Sequence, residues 1–188
     1  MTIALRSLTL VASLVFGGVA WGQASMAVSG VVSALRAGGH VIVFRHGATH
    51  PDQADTDPLN PDNIAKQRHL NDTGRADAKA VGGAFKTAGV LIGGKDPVAT
   101  NDVTEGGLVV SPNENNRRAQ ALRAMAATAP DPGTNTLIVT HKPNILDAFG
   151  RNWFDVKEGE ASIFKPDGKG ESVLIARVQI GQWAAANR

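Results

Sequence analysis

The most constraining feature of the sequence is a short apolar run that ends abruptly in charged residues. Residues 41–44 are all β-branched or aromatic, and Arg45, His46 and Gly47 follow them directly. A continuous apolar run of this length indicates a strand buried on both faces of a parallel sheet. Ligands of open α/β sheets bind at the carboxyl ends of such strands. The sequence therefore predicts a charged pair at the place where ligand chemistry usually occurs.

The residues at this strand end have the chemistry of an anion site. Arg45 offers a planar fork of N–H donors that suits a phosphate, and it stays charged at any working pH. His46 can attack phosphorus through a neutral ring nitrogen. Gly47 lets the backbone approach an anion closely, and Thr49 can add a hydroxyl donor. The plainer alternative is a polar strand end followed by a turn glycine.

A second run later in the chain repeats this pattern. Residues 136–140 are apolar or β-branched and are followed by His141. Lys142 and Pro143 then open a predicted helix, with the proline well placed in its first turn. If the two strands are neighbours, both imidazoles face one crevice, and His141 can donate a hydrogen bond to phosphoryl oxygens while His46 acts as the nucleophile.

The rest of the chain alternates between helical and extended patterns. Helices are predicted over 25–37, from a cap at Asp72 or Thr73 to Gly89, over 117–128 and from Lys142 to Gly150. Further strands are predicted over 108–110, 160–165 and 172–180, the last two joined by a Pro-Asp-Gly-Lys-Gly turn. This alternation is typical of an α/β domain, which we assign to residues 25–188.

Bulk composition excludes several classes of protein. The 188 residues suffice for one domain with a sizeable core. The formal net charge is +2 without a long basic run, which argues against a nucleic-acid surface. The absence of cysteine excludes disulfides and thiolate zinc sites.

Residues 1–24 have the pattern of a signal peptide. Arg6 precedes an apolar stretch over 8–20, which is shorter than the ~20 residues that span a membrane comfortably. Small residues follow, so cleavage is predicted after Ala24, with the position after Gly22 as second choice. The alternative is an uncleaved membrane anchor. The favoured interpretation predicts a periplasmic or secreted protein that has no membrane association after cleavage.

Taken together, these motifs resemble the histidine phosphatase superfamily, also called the phosphoglycerate-mutase-like family. The Arg-His-Gly of residues 45–47 is similar to its nucleophile motif, and the Thr-His of residues 140–141 is similar to its second histidine. The Leu-x-x-x-Gly-Arg-x-x-Ala of residues 70–78 is similar to the helix opening that follows its first loop. The resemblance covers about residues 31–180.

This resemblance implies a three-layer α/β/α sandwich with a mostly parallel central sheet. It also implies a phosphomonoester hydrolase that acts on a small phosphorylated substrate through a phosphohistidine on His46, without a metal or other cofactor. A catalytically weakened protein of the same fold that binds phosphate esters is the alternative. The oligomeric state is left open.

The sequence departs from the family in one respect, the second phosphate-binding arginine. Its usual pattern, Ser-x-x-x-Arg-x-x-x-Thr-Ala, is not found, and residues 93–107, where we expect it, contain no arginine. This leaves open the loss of one strand–helix unit. The segment most similar to this pattern begins at Ser111 and makes Arg117, with Arg118 beside it, the candidate for the second phosphate-binding arginine. Both arginines can equally be surface residues at a helix start.

Glu114 is the candidate general acid, because it is predicted in the loop before that helix rather than on a helix face. Its alternative role is that of an ordinary acidic residue in the first turn of a helix, where the helix dipole favours it.

The other histidines and the acidic loop receive plainer interpretations. Residues 50–63 are rich in aspartate but do not match a calcium loop, which favours a solvated flap facing the substrate. His40 is predicted to be structural, whereas His50 and His69 lie in loops that can approach the rim of the pocket. A metal cluster of His50 with the two strand-end histidines is an alternative, but Arg45 beside it would repel a cation.

Overall fold

The structure is a computed structural model that describes residues 26–57, 60, 62–94, 96–105 and 111–185. The predicted signal peptide and the predicted strand over 108–110 lie outside these residues. In the part of the chain that is described, no helix combines the length and the apolar character needed to cross a membrane.

The structure contains the helices and strands that the sequence predicts for the described residues, together with a short last helix that it does not predict. The helices are α1 (Val28–Ala37), α2 (Asp72–Ala88), α3 (Pro112–Ala127), α4 (Lys142–Phe149) and α5 (Gln182–Ala185). The strands are β1 (Val41–Arg45), β2 (Thr136–Thr140), β3 (Ala161–Pro166) and β4 (Ser172–Val178). Short 3-10 helices lie at Ile64–Lys66, Asn101–Val103 and Arg151–Trp153.

The described strands form one sheet in the order β2-β1-β3-β4. β1 and β2 are parallel, with Arg45 opposite Thr140 at the carboxyl end of both strands. β1 pairs antiparallel with β3, and β3 pairs antiparallel with β4. The prediction of a mostly parallel sheet is therefore not confirmed, because one of these three pairings is parallel.

The reason lies in the path of the chain after β2. An eight-residue helix such as α4 spans only about 12 Å, and the chain enters β3 at Ala161, opposite Phe44 near the carboxyl end of β1. A strand that begins at that edge must run back antiparallel to β1. The short turn after Pro166 then makes β3 and β4 a hairpin.

The sheet is covered on both faces, which confirms the three-layer arrangement. Side chains alternate along β1, so Ile42 and Phe44 pack with α1, α2 and α5. Val41 and Val43 pack on the other face with α3 and α4. β1 is thus buried on both faces, as its continuous apolar run predicts. β2 is not, because it lies at an edge of the described sheet, where Leu137 is 37% and Val139 is 51% exposed.

A buried amide ties β1 and β2 together at the end of the sheet away from the histidines. The side-chain oxygen of Asn135 accepts a hydrogen bond from the backbone N–H of His40 at 3.2 Å. Its side-chain nitrogen donates to the carbonyls of Leu35 at 2.7 Å and Leu91 at 3.0 Å. Asn135 is fully buried and joins the end of α1 to the starts of both strands.

The starts of α2 and α3 differ from the predictions, and so does that of α1, which begins at Val28 rather than at residue 25. α2 is capped by Asn71, whose Oδ1 accepts from the Gly74 N–H at 2.9 Å, rather than by Asp72 or Thr73. α3 begins at Pro112, five residues before the predicted start at Arg117. Pro112 occupies the first helical position, where a missing N–H costs nothing.

The earlier start of α3 corrects the placement of Glu114. Ser111 caps the helix, and its Oγ accepts from the Glu114 N–H at 3.5 Å. Glu114 therefore lies in the first turn of a helix and not in a loop. Its alternative role, an acidic residue favoured by the helix dipole, fits this position.

Candidate active site

The parallel pairing of β1 and β2 brings His46 and His141 together. The His46 backbone N–H donates to the Thr140 carbonyl at 2.9 Å, which continues the ladder one residue beyond β1. The centroids of the two imidazole rings are 5.0 Å apart, and the rings are inclined at 62°. Both histidines can therefore contact one bound group at the carboxyl edge of the sheet.

The ring of His46 is oriented by its own backbone. Its Nδ1 lies 2.8 Å from the Gly47 carbonyl oxygen, and because a carbonyl can only accept, Nδ1 carries the proton. The neutral ring then has its lone pair on Nε2. Burial is the largest cause that lowers the pKa of His46 below the ordinary 6.5, and charges on His141 and Arg45 act in the same direction. Both effects favour a neutral, nucleophilic ring.

Arg45 is held by the loop that precedes β3. Its Nη1 donates to the Val156 carbonyl at 2.9 Å, and its Nη2 lies 3.2 Å from the Glu158 carboxylate. Its backbone N–H donates to the Glu160 carbonyl at 3.0 Å. Nε is buried and has no hydrogen-bond partner among the described residues. The guanidinium group is thus fixed in place and keeps free N–H groups for an anion.

A buried carboxylate supports this loop. Glu160 is 1% exposed, and its Oε1 accepts from the Arg177 Nε at 2.5 Å. Its Oε2 accepts from the Gln179 side chain at 2.7 Å and from the Lys157 backbone N–H at 3.2 Å. Because a buried charge is tolerated only when it is paired and hydrogen-bonded, this network holds the start of β3 beside Arg45.

The start of α2 packs against the chain that follows His46. A Cβ added to Gly74 would lie 2.1 Å from the Ala48 carbonyl oxygen, so only glycine fits there. Asn71 donates from its backbone N–H to the Ala48 carbonyl and from its side chain to the Thr49 carbonyl, both at 3.0 Å. Gly47 and Thr49, both predicted site residues, are therefore held between β1 and α2.

Glu105 is the site residue that the sequence did not reveal. Its Oε2 lies 3.3 Å from Nδ1 of His141, a charge-pair contact without regular hydrogen-bond geometry. This contact is the largest cause that holds the pKa of Glu105 below its usual range. The charges of Arg68 and His46 lower that pKa further by smaller amounts, whereas burial raises it. Glu105 belongs to the weakly patterned residues 93–107, where no motif or periodicity could have singled it out.

The structure gives Glu114 and Arg117 a different environment. Arg117 pairs with Asp102 and, at 3.1 Å, with Glu114, and all three side chains are partly exposed to solvent. Arg118 donates to the Asn101 carbonyl at 3.3 Å. Among the described residues, none of these groups contacts Arg45 or either strand-end histidine. The structure thus brings Arg45, Gly47 and the two histidines together, and it does not bring Glu114 or Arg117 into contact with them.

The remaining histidines lie away from this contact. His40 is buried at the start of β1, at the opposite end of the strand from His46. His50 and His69 both lie in the chain between β1 and α2, where the His50 backbone N–H donates to the His69 carbonyl at 3.1 Å. Within the described ranges, no group of three or more histidine or acidic side chains is arranged to hold a metal ion.

The fold is similar to that of a solved protein histidine phosphatase. The solved structure of the protein histidine phosphatase SixA, complexed with tungstate, matches 76% of this chain and 97% of its own chain, with a TM-score of 0.50 and 15% sequence identity. At this identity the likeness shows a shared fold. No protein-family model and no curated protein sequence matches the chain.

Proposed function

We propose that this protein hydrolyses phosphomonoesters through a phosphohistidine on His46. The observation that carries the proposal is the state of the His46 ring, whose Nδ1 proton is held by the Gly47 carbonyl so that Nε2 is left as a nucleophile. Arg45 and His141 flank this ring, and the shared fold with a histidine phosphatase supports the same chemistry.

Two displacements at phosphorus complete the proposed reaction. The Nε2 lone pair of His46 attacks phosphorus, the bond to the ester oxygen breaks, and that oxygen leaves with the electron pair and takes up a proton. Water then attacks the phosphohistidine, loses a proton, and breaks the N–P bond, which releases phosphate and restores neutral His46. Arg45 donates to the non-bridging oxygens, whose charge must be stabilised in both transition states.

Trapping the intermediate tests this proposal. Rapid quenching during turnover of p-nitrophenyl phosphate, followed by peptide mass spectrometry at alkaline pH, is expected to place one phosphoryl group on His46 and none on the other four histidines. His46→Ala is expected to lose the label and more than about 10⁴-fold in kcat, as when other protein nucleophiles are removed. Full activity in His46→Ala would contradict the proposal.

The environment of His46 predicts how activity depends on pH. Burial lowers the pKa of His46, so the nucleophile stays neutral below pH 6.5 and is lost only when the pH falls through this lower value. The acidic limb of kcat/KM is therefore expected below pH 6.5. The profile must be corrected for the phosphate ester, whose second ionisation lies near pH 6. A limb of the enzyme itself at or above 6.5 would show that His46 is not the titrating base.

A phosphate-ester-binding protein with weak or no turnover is the second candidate. The observation that favours it is that, among the arginines of the described residues, Arg45 is the one whose charge is found to lower the pKa of His46. Turnover of several phosphate esters well above the buffer background would exclude a pure binder.

A further inference from the structure

We infer that His141 is the proton donor to the leaving group and that Glu105 is the positioning residue that holds it in that role. This inference deepens the proposed function and rests on it. It assigns to a histidine–carboxylate pair the role that the sequence suggested for Glu114.

The geometry leaves one nitrogen of His141 for a substrate. Nδ1 is buried on the side where the Glu105 carboxylate lies 3.3 Å away, whereas the side chain as a whole is 34% exposed. The accessible edge of the ring therefore carries Nε2. With the His46 ring centroid 5.0 Å away, this edge borders the phosphoryl group that His46 would attack.

Glu105 is anchored by the same elements that carry His141. The Thr140 hydroxyl, next to His141 in the chain, donates to the Val103 carbonyl at 2.8 Å. The Asn144 side chain, in the first turn of α4 and 5% exposed, donates to the Thr104 carbonyl at 3.1 Å. Residues 103–105 are thus tied to the end of β2 and the start of α4, so the carboxylate and the ring keep their relative positions.

Glu105, Glu158 and Glu114 are not equally suited to supply the proton. The pKa of Glu105 is lowered by the His141 contact, so the group is a carboxylate at neutral pH and has no proton to give. Glu158 pairs with Arg45, and Glu114 pairs with Arg117. A carboxylate beside an imidazole does stabilise the positive charge of the protonated ring. His141 is then the group that can carry the proton.

The proton balance closes over the two steps. Protonated His141 gives its Nε2 proton to the ester oxygen as the P–O bond breaks, and the neutral ring remains against the Glu105 carboxylate. In the second step, the water that attacks the phosphohistidine returns a proton to Nε2. Charge on His141 acts to lower the pKa of the adjacent His46, which favours the neutral, nucleophilic form of that ring.

Leaving-group dependence tests this inference. p-Nitrophenolate leaves readily without a proton, whereas phenolate needs one. Glu105→Gln is therefore expected to lower kcat for phenyl phosphate by about 10²-fold, within the usual range for a positioned acid, and to lower kcat for p-nitrophenyl phosphate by less than about fivefold. A merely structural defect would lower both rates by the same factor.

Asp102→Asn is the matched control, because it makes the same carboxylate-to-amide change three residues earlier, in the pair with Arg117. Asp102→Asn is expected to leave the ratio of kcat for p-nitrophenyl phosphate to kcat for phenyl phosphate unchanged. Glu105→Asp keeps the carboxylate, so its ratio is expected to lie between those of the unchanged protein and Glu105→Gln. Equal losses with both esters in Glu105→Gln, while His46→Ala is inactive, would overturn the inference alone. Retained activity in His46→Ala would overturn the proposed function as well.

Discussion

Replacing Gly74 with alanine is expected to lower the free energy of unfolding by about 3 kcal/mol, the upper end of the usual cost of overpacking. The new Cβ would lie 2.1 Å from the Ala48 carbonyl oxygen and 2.9 Å from the Ala48 nitrogen. Both are backbone atoms, so α2 or the chain after His46 must move. Because a shift of about 1 Å in a reacting group can cost 10²-fold in rate, turnover is expected to fall as well.

Two other glycines of the same helix provide the control. Gly82 and Gly83 are exposed in the middle of α2, and outside the backbone of the helix and the two neighbouring residues no atom lies within 4 Å of the Cβ that either would gain. Alanine at either position is expected to stabilise the protein by about 0.5–1 kcal/mol through helix propensity. The test is to measure urea unfolding and kcat for Gly74→Ala, Gly82→Ala and Gly83→Ala. A Gly74→Ala protein as stable and active as Gly82→Ala would contradict the packing at Ala48.

Arg45→Ala is expected to abolish the binding of inorganic phosphate or vanadate. Each hydrogen bond from a charged donor contributes about 1.5–3 kcal/mol, and Arg45 presents several donors from a position fixed by Val156 and Glu158. Titration calorimetry against each anion measures the loss. Arg117→Ala and Arg118→Ala are the matched controls, since both arginines lie at the start of α3 without contact to the site histidines among the described residues.

The two control variants are expected to change the dissociation constant by less than about fivefold, as exposed charges usually do. If either proves as damaging as Arg45→Ala, the start of α3 supplies the second phosphate-binding arginine. The apparent departure from the family pattern would then be a longer spacing and not a loss.

Local pattern was sufficient for the four described strands and for most of α1 to α4, but not for α5 or for the arrangement of the elements. The runs at β1 and β2 look alike in sequence, and both were predicted as strands. β1 is central and buried on both faces, whereas β2 lies at an edge with Val139 half exposed. Position in a sheet depends on which strands pair, and that depends on the path of the whole chain. The antiparallel direction of β3 follows from the same path.

Some residues of the candidate site could likewise be predicted from local sequence, whereas others could not. Arg45, His46 and His141 could be predicted as candidates because each lies at the carboxyl end of an apolar strand. Glu105 could not, because side-chain bonds from Thr140 and Asn144 to the backbone of 103–104 set its position, and these connect residues distant in sequence. Glu114 was misplaced because a polar stretch gave no helical periodicity, although Ser111 and Pro112 start a helix there.

The buried amide of Asn135 has a consequence at the other end of the sheet. Parallel strands that slip while keeping their buried faces must move by two residues, or about 6.6 Å. Such a slip would put His46 and His141 out of reach of a common phosphorus atom. By fixing the starts of β1 and β2, Asn135 sets the distance between two histidines that it never touches. Misaligned molecules would still contain every strand and helix, but only those in the correct register would bring the two histidines together.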